Sequence, residues 1–68
     1  MRISARNRPQ GRVVEVTKGQ TTAHVRIDVA GTVITASITN EAVDELALKP
    51  GDEAYAIVKA SDVMVAED

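Results

Sequence analysis

Alternation of hydrophobic and polar residues predicts that most of this chain is β-structure. The clearest stretch is residues 22–29, where apolar and polar side chains alternate without a break. Its predicted inner face holds Ala23, Val25, Ile27 and Val29. The earlier stretch "RVVEV" puts Val14 and Val16 on one face with Glu15 opposite, and the β-branched run "TVITASI" follows Gly31. Three consecutive antiparallel strands are therefore predicted.

The hydrophobic period changes from that of a strand to that of a helix after residue 38. Thr39 or Asn40 suits the helix N-cap, and Glu41 is an acidic residue in the first turn. The apolar residues at helical spacing are Ala42, Val43, Leu46 and Ala47. Pro50 and Gly51 fit the two central positions of a type II turn, so one short helix is predicted before this turn.

Two more strands are predicted after the turn, at residues 53–60 and 62–66. The order strand, strand, strand, helix, strand, strand predicts an all-β fold. It is the order of a small five-stranded OB-like barrel with one short helix between strands 3 and 4. We expect residues 1–68 to form one domain. Because "EAYAIVKA" is apolar on both faces, its second face is predicted to contact another subunit.

Composition narrows the chemistry that this chain can perform. Its 68 residues include no cysteine, which excludes disulfides and thiolate metal sites. The one histidine, His24, cannot form a zinc site without several carboxylate partners. No apolar run approaches the length of a membrane span, so we expect a soluble, cytoplasmic protein. The net charge is −2, yet four of the eight basic residues lie in the first twelve positions: Arg2, Arg6, Arg8 and Arg12.

No catalytic constellation is visible in the sequence. His24 lies on the predicted polar face of a strand, and none of the three serines has an identifiable base nearby. The chain is therefore not predicted to be an enzyme. An OB-type barrel also fits nucleic-acid binding, but Tyr55 is the only aromatic residue available for stacking on bases, so this stays a minor alternative.

A set of hydrogen-bond donors is the remaining candidate site. If residues 3–7 are extended, Ser4 and Arg6 share one face, and "KAS" at 59–61 and Thr39 at the helix start add further donors. Such a set without carboxylates suits a small oxyanion. The alternative is structural: Arg6 protects an edge strand, Thr39 caps the helix and Lys59 is solvated. Residue types alone favour the structural interpretation and leave the oxyanion site open.

Three segments of the chain together resemble the molybdate-binding Mop proteins, or molbindins. They are "ISARN" followed by Gly11, "ITNEAVDELALKPGDEA" and "AIVKASDVMV", and they span nearly the whole sequence. The resemblance implies an OB-like barrel that assembles as a homohexamer, a trimer of dimers. It also implies that molybdate or tungstate binds between subunits, for intracellular storage and homeostasis, with no catalytic cofactor.

The resemblance also implies which residues bind the oxyanion. Ser4, Ala5 and Arg6 would come from one subunit, and Thr39, Lys59, Ala60 and Ser61 from its neighbour. Many relatives have serine where this chain has Ala42, so one side-chain donor is absent here and weaker binding is expected. A molybdate-sensing module that acts on a partner protein is the alternative function, ahead of an OB-type nucleic-acid binder.

Overall fold

The computed structural model describes residues 2–68, which form one antiparallel sheet and two short helices. In chain order the elements are β1 (Gln10–Lys18), β2 (Thr22–Val29), β3 (Thr32–Thr39), α1 (Asn40–Leu46), β4 (Glu53–Tyr55) and a 3₁₀ helix (Ala60–Asp62). The order of strands in the sheet is β3-β2-β1-β4, so β3 and β4 are its edges. This arrangement confirms an all-β fold with one short α-helix after the third strand.

Two tight turns form where the sequence predicted them. Ala30 and Gly31 connect β2 to β3 with φ of 51° and 92°. Positive φ at both central residues is the geometry of a type I′ hairpin turn, which matches the twist of the flanking strands. At the second turn Gly51 has φ of 96°, and the Asp52 N–H donates to the Lys49 carbonyl at a distance of 3.1 Å.

The core lies between the inner face of the sheet and α1. Its buried members are aliphatic: Val13, Ala23, Val25, Ile27, Val43 and Ala56. The predicted inner face of β2 is confirmed, because residues 23, 25 and 27 are buried and Val29 packs against them. His24, which alternates with them, is exposed as predicted. The helix contributes Val43, which is 4% exposed, whereas Leu46 is 65% exposed.

A β-bulge in β1 changes which valines face the core. Val13 pairs with Ile27 and Glu15 pairs with Arg26, so Val14 is an extra residue without a partner on β2. The bulge turns Val13 inward, where it is 1% exposed, and leaves Val14 46% exposed. The prediction that Val14 and Val16 share one face was wrong, because the inserted residue interrupts the two-residue period.

The structure has four strands in place of the predicted five. The strand expected at 53–60 ends at Tyr55, although two backbone hydrogen bonds continue its pairing, from Ala56 N–H to the Pro9 carbonyl (2.9 Å) and from Val58 N–H to the Asn7 carbonyl (2.7 Å). Pro9 has no N–H to return a bond, so the regular ladder stops there. The strand expected at 62–66 is absent from the described residues.

Gly11 is required by close packing between β1 and β2. A Cβ built at this position would lie 2.6 Å from the Asp28 carbonyl oxygen and 2.7 Å from a methyl carbon of Ile27. We therefore expect Gly11→Ala to lower the free energy of unfolding by roughly 2–3 kcal/mol, as overpacking typically does. Urea unfolding measures this loss. Gly19→Ala, whose Cβ meets only the Thr22 carbonyl at 3.0 Å, is the milder control, and equal midpoints for the two variants would contradict the packing argument.

Candidate functional site

The N-terminal segment lies alongside the segment that follows β4. Gln10 pairs with Tyr55 and Gly11 pairs with Ala54, and the isolated bridge between Asn7 and Val58 keeps the same antiparallel register. Arg6 precedes Asn7 and Lys59 follows Val58, so the register places these two cationic positions side by side. Arg6 and Lys59, which belong to two of the three predicted donor segments, therefore lie at the same end of the sheet.

The basic residues divide into two groups by their electrostatic partners. Four are in ion pairs with carboxylates: Arg12 with Glu53, Lys18 with Asp44, Arg26 with Glu15 and Lys49 with Asp52. Within residues 2–68, the other four have no carboxylate oxygen within 4 Å: Arg2, Arg6, Arg8 and Lys59. We call these four the basic end, since they lie in the N-terminal segment and beside it. Their charge is free to attract an anion.

Thr39 is the N-cap of α1. Its backbone is extended, with φ of −72° and ψ of 152°, and its Oγ1 accepts a hydrogen bond of 3.0 Å from the Ala42 N–H. This settles the choice between Thr39 and Asn40 that the sequence left open. Asn40 instead ties the helix start to the β1–β2 loop: its Nδ2 donates to the Gly19 carbonyl and its backbone N–H to the Thr21 carbonyl, both at 2.9 Å.

Thr39 and the basic end lie at opposite ends of the sheet within one chain. Thr39 pairs with Thr22 at the start of β2, beside the end of β1. The bridge between Asn7 and Val58 lies beyond the other end of β1. β1 has nine residues, and at about 3.3 Å per residue it spans roughly 30 Å. Thr39 and Lys59 therefore lie toward opposite ends of β1 within one chain.

The seven predicted site residues fall into two surface groups. Six of them lie just outside the bridge between Asn7 and Val58, three before Asn7 and three after Val58: Ser4, Ala5, Arg6, Lys59, Ala60 and Ser61. Thr39 forms the second group with the first turn of α1. Ala5 is half-buried and the other six are exposed. None of these seven residues lines either of the two cavities described below, and a site shared between two chains stays a prediction.

An apolar groove between the two edges of the sheet was not predicted from the sequence. Its volume is about 670 Å³. One wall is β3, which contributes Ile34, Ala36 and Ile38, and the other is the segment 54–58. Leu46 and Leu48 also line it. We call this cavity the apolar groove. The only signal for it in the sequence was that residues 53–60 are apolar on both faces.

A second, polar cleft of about 410 Å³ lies beside Gly11. Its main donors already have partners: Arg12 Nη1 donates to the Gly51 carbonyl at 2.8 Å, and Gln10 Nε2 donates to Glu53 at 3.1 Å. The two carboxylates that line this cleft, Asp28 and Glu53, oppose the binding of an anion. This cleft is therefore a poor site for an oxyanion.

Residues 2–68 lack a metal-binding cluster and a membrane-spanning helix. This part of the chain holds no cluster of three or more histidine, aspartate or glutamate residues that could bind a metal ion. It also has no helix with the length and hydropathy to cross a bilayer.

Comparison with known proteins identifies the family. The TOBE domain model matches residues 3–65. A probable molybdenum-pterin-binding protein of Haemophilus influenzae is 48% identical to this chain over 66 residues, which cover 96% of each protein. The chain belongs to the Mop family of TOBE domains. The resemblance drawn from "ISARN" and the other two segments is thereby confirmed.

Solved structures of Mop domains share this fold. A molybdate-binding protein from Sporomusa ovata superposes with a TM-score of 0.94 and 40% identity, covering 98% of this chain and 100% of that one. The cytoplasmic molybdate-binding protein ModG, solved with molybdate bound, superposes with a TM-score of 0.89 and 46% identity. The match covers 94% of this chain and 46% of ModG.

Removal of the Thr39 hydroxyl should destabilise the helix start. Thr39→Val keeps the β-branched shape but loses the acceptor for the Ala42 N–H, so we expect a loss of about 1 kcal/mol in the free energy of unfolding. Thr39→Ser keeps an equivalent oxygen and serves as the control. Thermal unfolding monitored by circular dichroism compares the two variants, and a Thr39→Val protein as stable as the serine variant would contradict the capping role.

Proposed function

We propose that this Mop domain binds molybdate or tungstate at sites between subunits of a homohexamer and so stores these oxyanions in the cytoplasm. The observation that carries the proposal is the basic end, which holds the four cations without carboxylate partners. Family membership supports it, because a relative is described as a probable molybdenum-pterin-binding protein. Cytoplasmic storage is supported by ModG, which is described as a cytoplasmic molybdate-binding protein. Residues 1–68 are proposed to act as one such domain.

The chemistry of the basic end suits a dianion that carries no proton. Arg6 supplies a fork of N–H donors, Lys59 supplies an ammonium group, and Ser4 and Ser61 supply hydroxyl donors. The backbone N–H groups of Ala5 and Ala60 are proposed to complete this half of the site. None of these residues is a carboxylate, so every oxygen of the anion can accept a hydrogen bond without repulsion.

A neighbouring subunit is proposed to supply the Thr39 half of the site. This is supported by the positions of the two halves toward opposite ends of β1 within one chain. The register between Asn7 and Val58 favours a grouping in which residues 4–6 and 59–61 come from the same subunit. At the helix start the Ala42 N–H donates to the Thr39 Oγ1, so the Thr39 O–H and the backbone N–H of Glu41 are the donors proposed for the anion. A dimer is thus the minimal binding unit, and the hexamer contains three.

This proposal assigns the protein a binding role and no catalysis. Metal analysis of the purified protein is the direct test: stoichiometric molybdenum or tungsten supports storage. A protein that purifies without either metal and does not take up molybdate in equilibrium dialysis would contradict it. Capture of a specific partner protein only in the presence of molybdate would favour a sensing module, and a gel shift with single-stranded nucleic acid would favour the remaining alternative.

Arg6→Ala and Lys59→Ala should each weaken molybdate binding. Each removes a charge-assisted hydrogen bond worth about 1.5–3 kcal/mol, so we expect the dissociation constant to rise by roughly 10- to 150-fold. Titration calorimetry measures the change. The matched controls are Arg26→Ala and Lys49→Ala, which remove the same residue types from exposed ion pairs elsewhere. The assignment fails if all four variants bind molybdate equally well.

The order of stabilisation by anions should be molybdate and tungstate first, then sulfate, then phosphate. Phosphate keeps a proton at neutral pH, and in a shell of donors this proton leaves two donors facing each other, at a cost of about 1–3 kcal/mol. Sulfate is fully deprotonated but smaller, so donors placed for molybdate reach it poorly.

A thermal-shift series at constant ionic strength measures this ranking, because a ligand at a hundredfold excess over its dissociation constant stabilises the folded state by about 2.7 kcal/mol. In the Arg6→Ala variant, the differences in melting-temperature shift between these anions should become smaller. Equal stabilisation by phosphate and molybdate would instead indicate a general anion patch formed by Arg2, Arg6, Arg8 and Arg12.

A further inference from the structure

Arg8 is a cation of the basic end to which the proposed site gives no role. It is exposed, and no carboxylate oxygen of residues 2–68 lies within 4 Å of its guanidinium group. The next residue is Pro9, whose ring disfavours helical geometry at the residue before it and favours an extended backbone at Arg8. The direction of the Arg8 side chain therefore follows the two-residue period of a strand.

The N-terminal segment presents Arg8 on the same face as Arg6. Burial follows a two-residue period here, since Pro9 and Gly11 are half-buried whereas Arg6, Arg8 and Gln10 are exposed. Successive side chains of an extended segment point to opposite faces, and alternate residues are roughly 7 Å apart. Arg6 and Arg8 therefore lie roughly 7 Å apart on the outer face of this segment.

Three cations are neighbours on this outer face. Arg6 lies beside Lys59, and the register that pairs Asn7 with Val58 puts Arg8 on the diagonal from Lys59. Diagonal neighbours in an antiparallel pair are about 7–8 Å apart, which is within reach of long side chains. Like charges at this spacing repel one another, so the cluster favours a bound anion.

The carboxylates closest along the chain do not neutralise Arg8. Glu53 is held by two other residues: its Oε1 is 3.9 Å from Arg12 Nη2, and its Oε2 accepts a hydrogen bond of 3.1 Å from Gln10 Nε2. Asp62 lies in the 3₁₀ helix and forms no ion pair within residues 2–68. The charge of Arg8 is thus available to a ligand.

Arg8 lies on the other side of the bridge from the proposed ligands. Residues 4–6 and 59–61 are outside the pair formed by Asn7 and Val58, whereas Arg8 is between this pair and β1. An anion held by Arg6 and Lys59 is therefore displaced along the segment from Arg8. At this position Arg8 acts on the anion through its charge and not through a hydrogen bond.

We propose that Arg8 makes the site selective for dianions over monoanions by long-range attraction. This inference rests on the proposed function, in which Arg6 and Lys59 bind the anion directly. A charge that acts at a distance contributes in proportion to the charge of the ligand. At about 7 Å in water, one positive charge lowers the dissociation constant roughly threefold for each unit of ligand charge. Its loss should therefore weaken a dianion roughly eightfold and a monoanion roughly threefold.

Tungstate and perrhenate separate the effect of charge from that of size. Both are tetrahedral oxyanions of nearly the same size, but tungstate is a dianion and perrhenate a monoanion. Titration calorimetry at low ionic strength, with competition against tungstate for perrhenate, gives both dissociation constants. Arg8→Gln should raise the constant for tungstate roughly eightfold and that for perrhenate roughly threefold. Arg26→Gln, from an exposed ion pair on β2, is the matched control and should change neither.

Salt provides a second test that needs tungstate alone. The Debye length falls from about 30 Å at 0.01 M salt to about 3 Å at 1 M, so long-range attraction is lost while contacts persist. The difference in affinity between the wild-type protein and Arg8→Gln should therefore shrink to less than about twofold in 1 M sodium chloride. Arg8→Lys keeps the charge without the planar fork of donors, so it should bind both anions as the wild-type protein does.

Three results would overturn the role of Arg8. Equal losses of tungstate and perrhenate affinity in Arg8→Gln, or a loss that persists in 1 M salt, would mean that Arg8 bonds to the anion. Unchanged affinity for both anions would mean that its charge does not reach the site. Dissociation of the assembly in light scattering, with no change in charge selectivity, would mean that Arg8 pairs with a carboxylate of another subunit. Failure of the wild-type protein to bind tungstate would instead refute the proposed function, before any variant is compared.

Discussion

Antiparallel pairing in a single register between residues 7–13 and 52–58 is the constraint on which the site depends. It begins where Val13 N–H donates to the Asp52 carbonyl at 2.8 Å and ends at the bridge between Asn7 and Val58. Segments about 40 to 50 residues apart in sequence are held side by side, mainly by backbone hydrogen bonds. Arg6 and Lys59 become neighbours for this reason, although neither side chain contributes to the pairing.

The placement of charge follows from the same pairing. Two cations of the regular strands have acidic residues opposite them on the neighbouring strand: Arg12 has Glu53 and Arg26 has Glu15. Beyond Pro9 the ladder stops, and there the chain carries arginines with no acidic residue across from them. Exposed ion pairs contribute little to stability. Their main effect here is to neutralise the rest of the sheet, so that positive potential is concentrated at the basic end.

The small size of the domain explains why it leaves large hydrophobic side chains exposed. Within residues 2–68 only six hydrophobic side chains are buried, all of them aliphatic. The apolar groove stays open, and Met64 and Val65 are more than 90% exposed. The proposed association with further copies would bury part of this apolar surface.

The sequence by itself determined the features that depend on neighbouring residues. The alternation in β2, a helix cap at Thr39 or Asn40 and the turn at Pro50–Gly51 were all predicted, because strand period, capping and turn geometry are local. The donor types of the candidate site could also be named from "ISARN" and "KAS".

Only the tertiary structure decided the rest. The bulge at Val14 depends on how β1 matches β2, and the early end of β4 depends on Pro9 across the ladder. Likewise, the adjacency of Arg6 and Lys59 and the distance of both from Thr39 depend on the order of strands in the sheet. These features arise from pairing between residues distant in the chain, which no local pattern specifies.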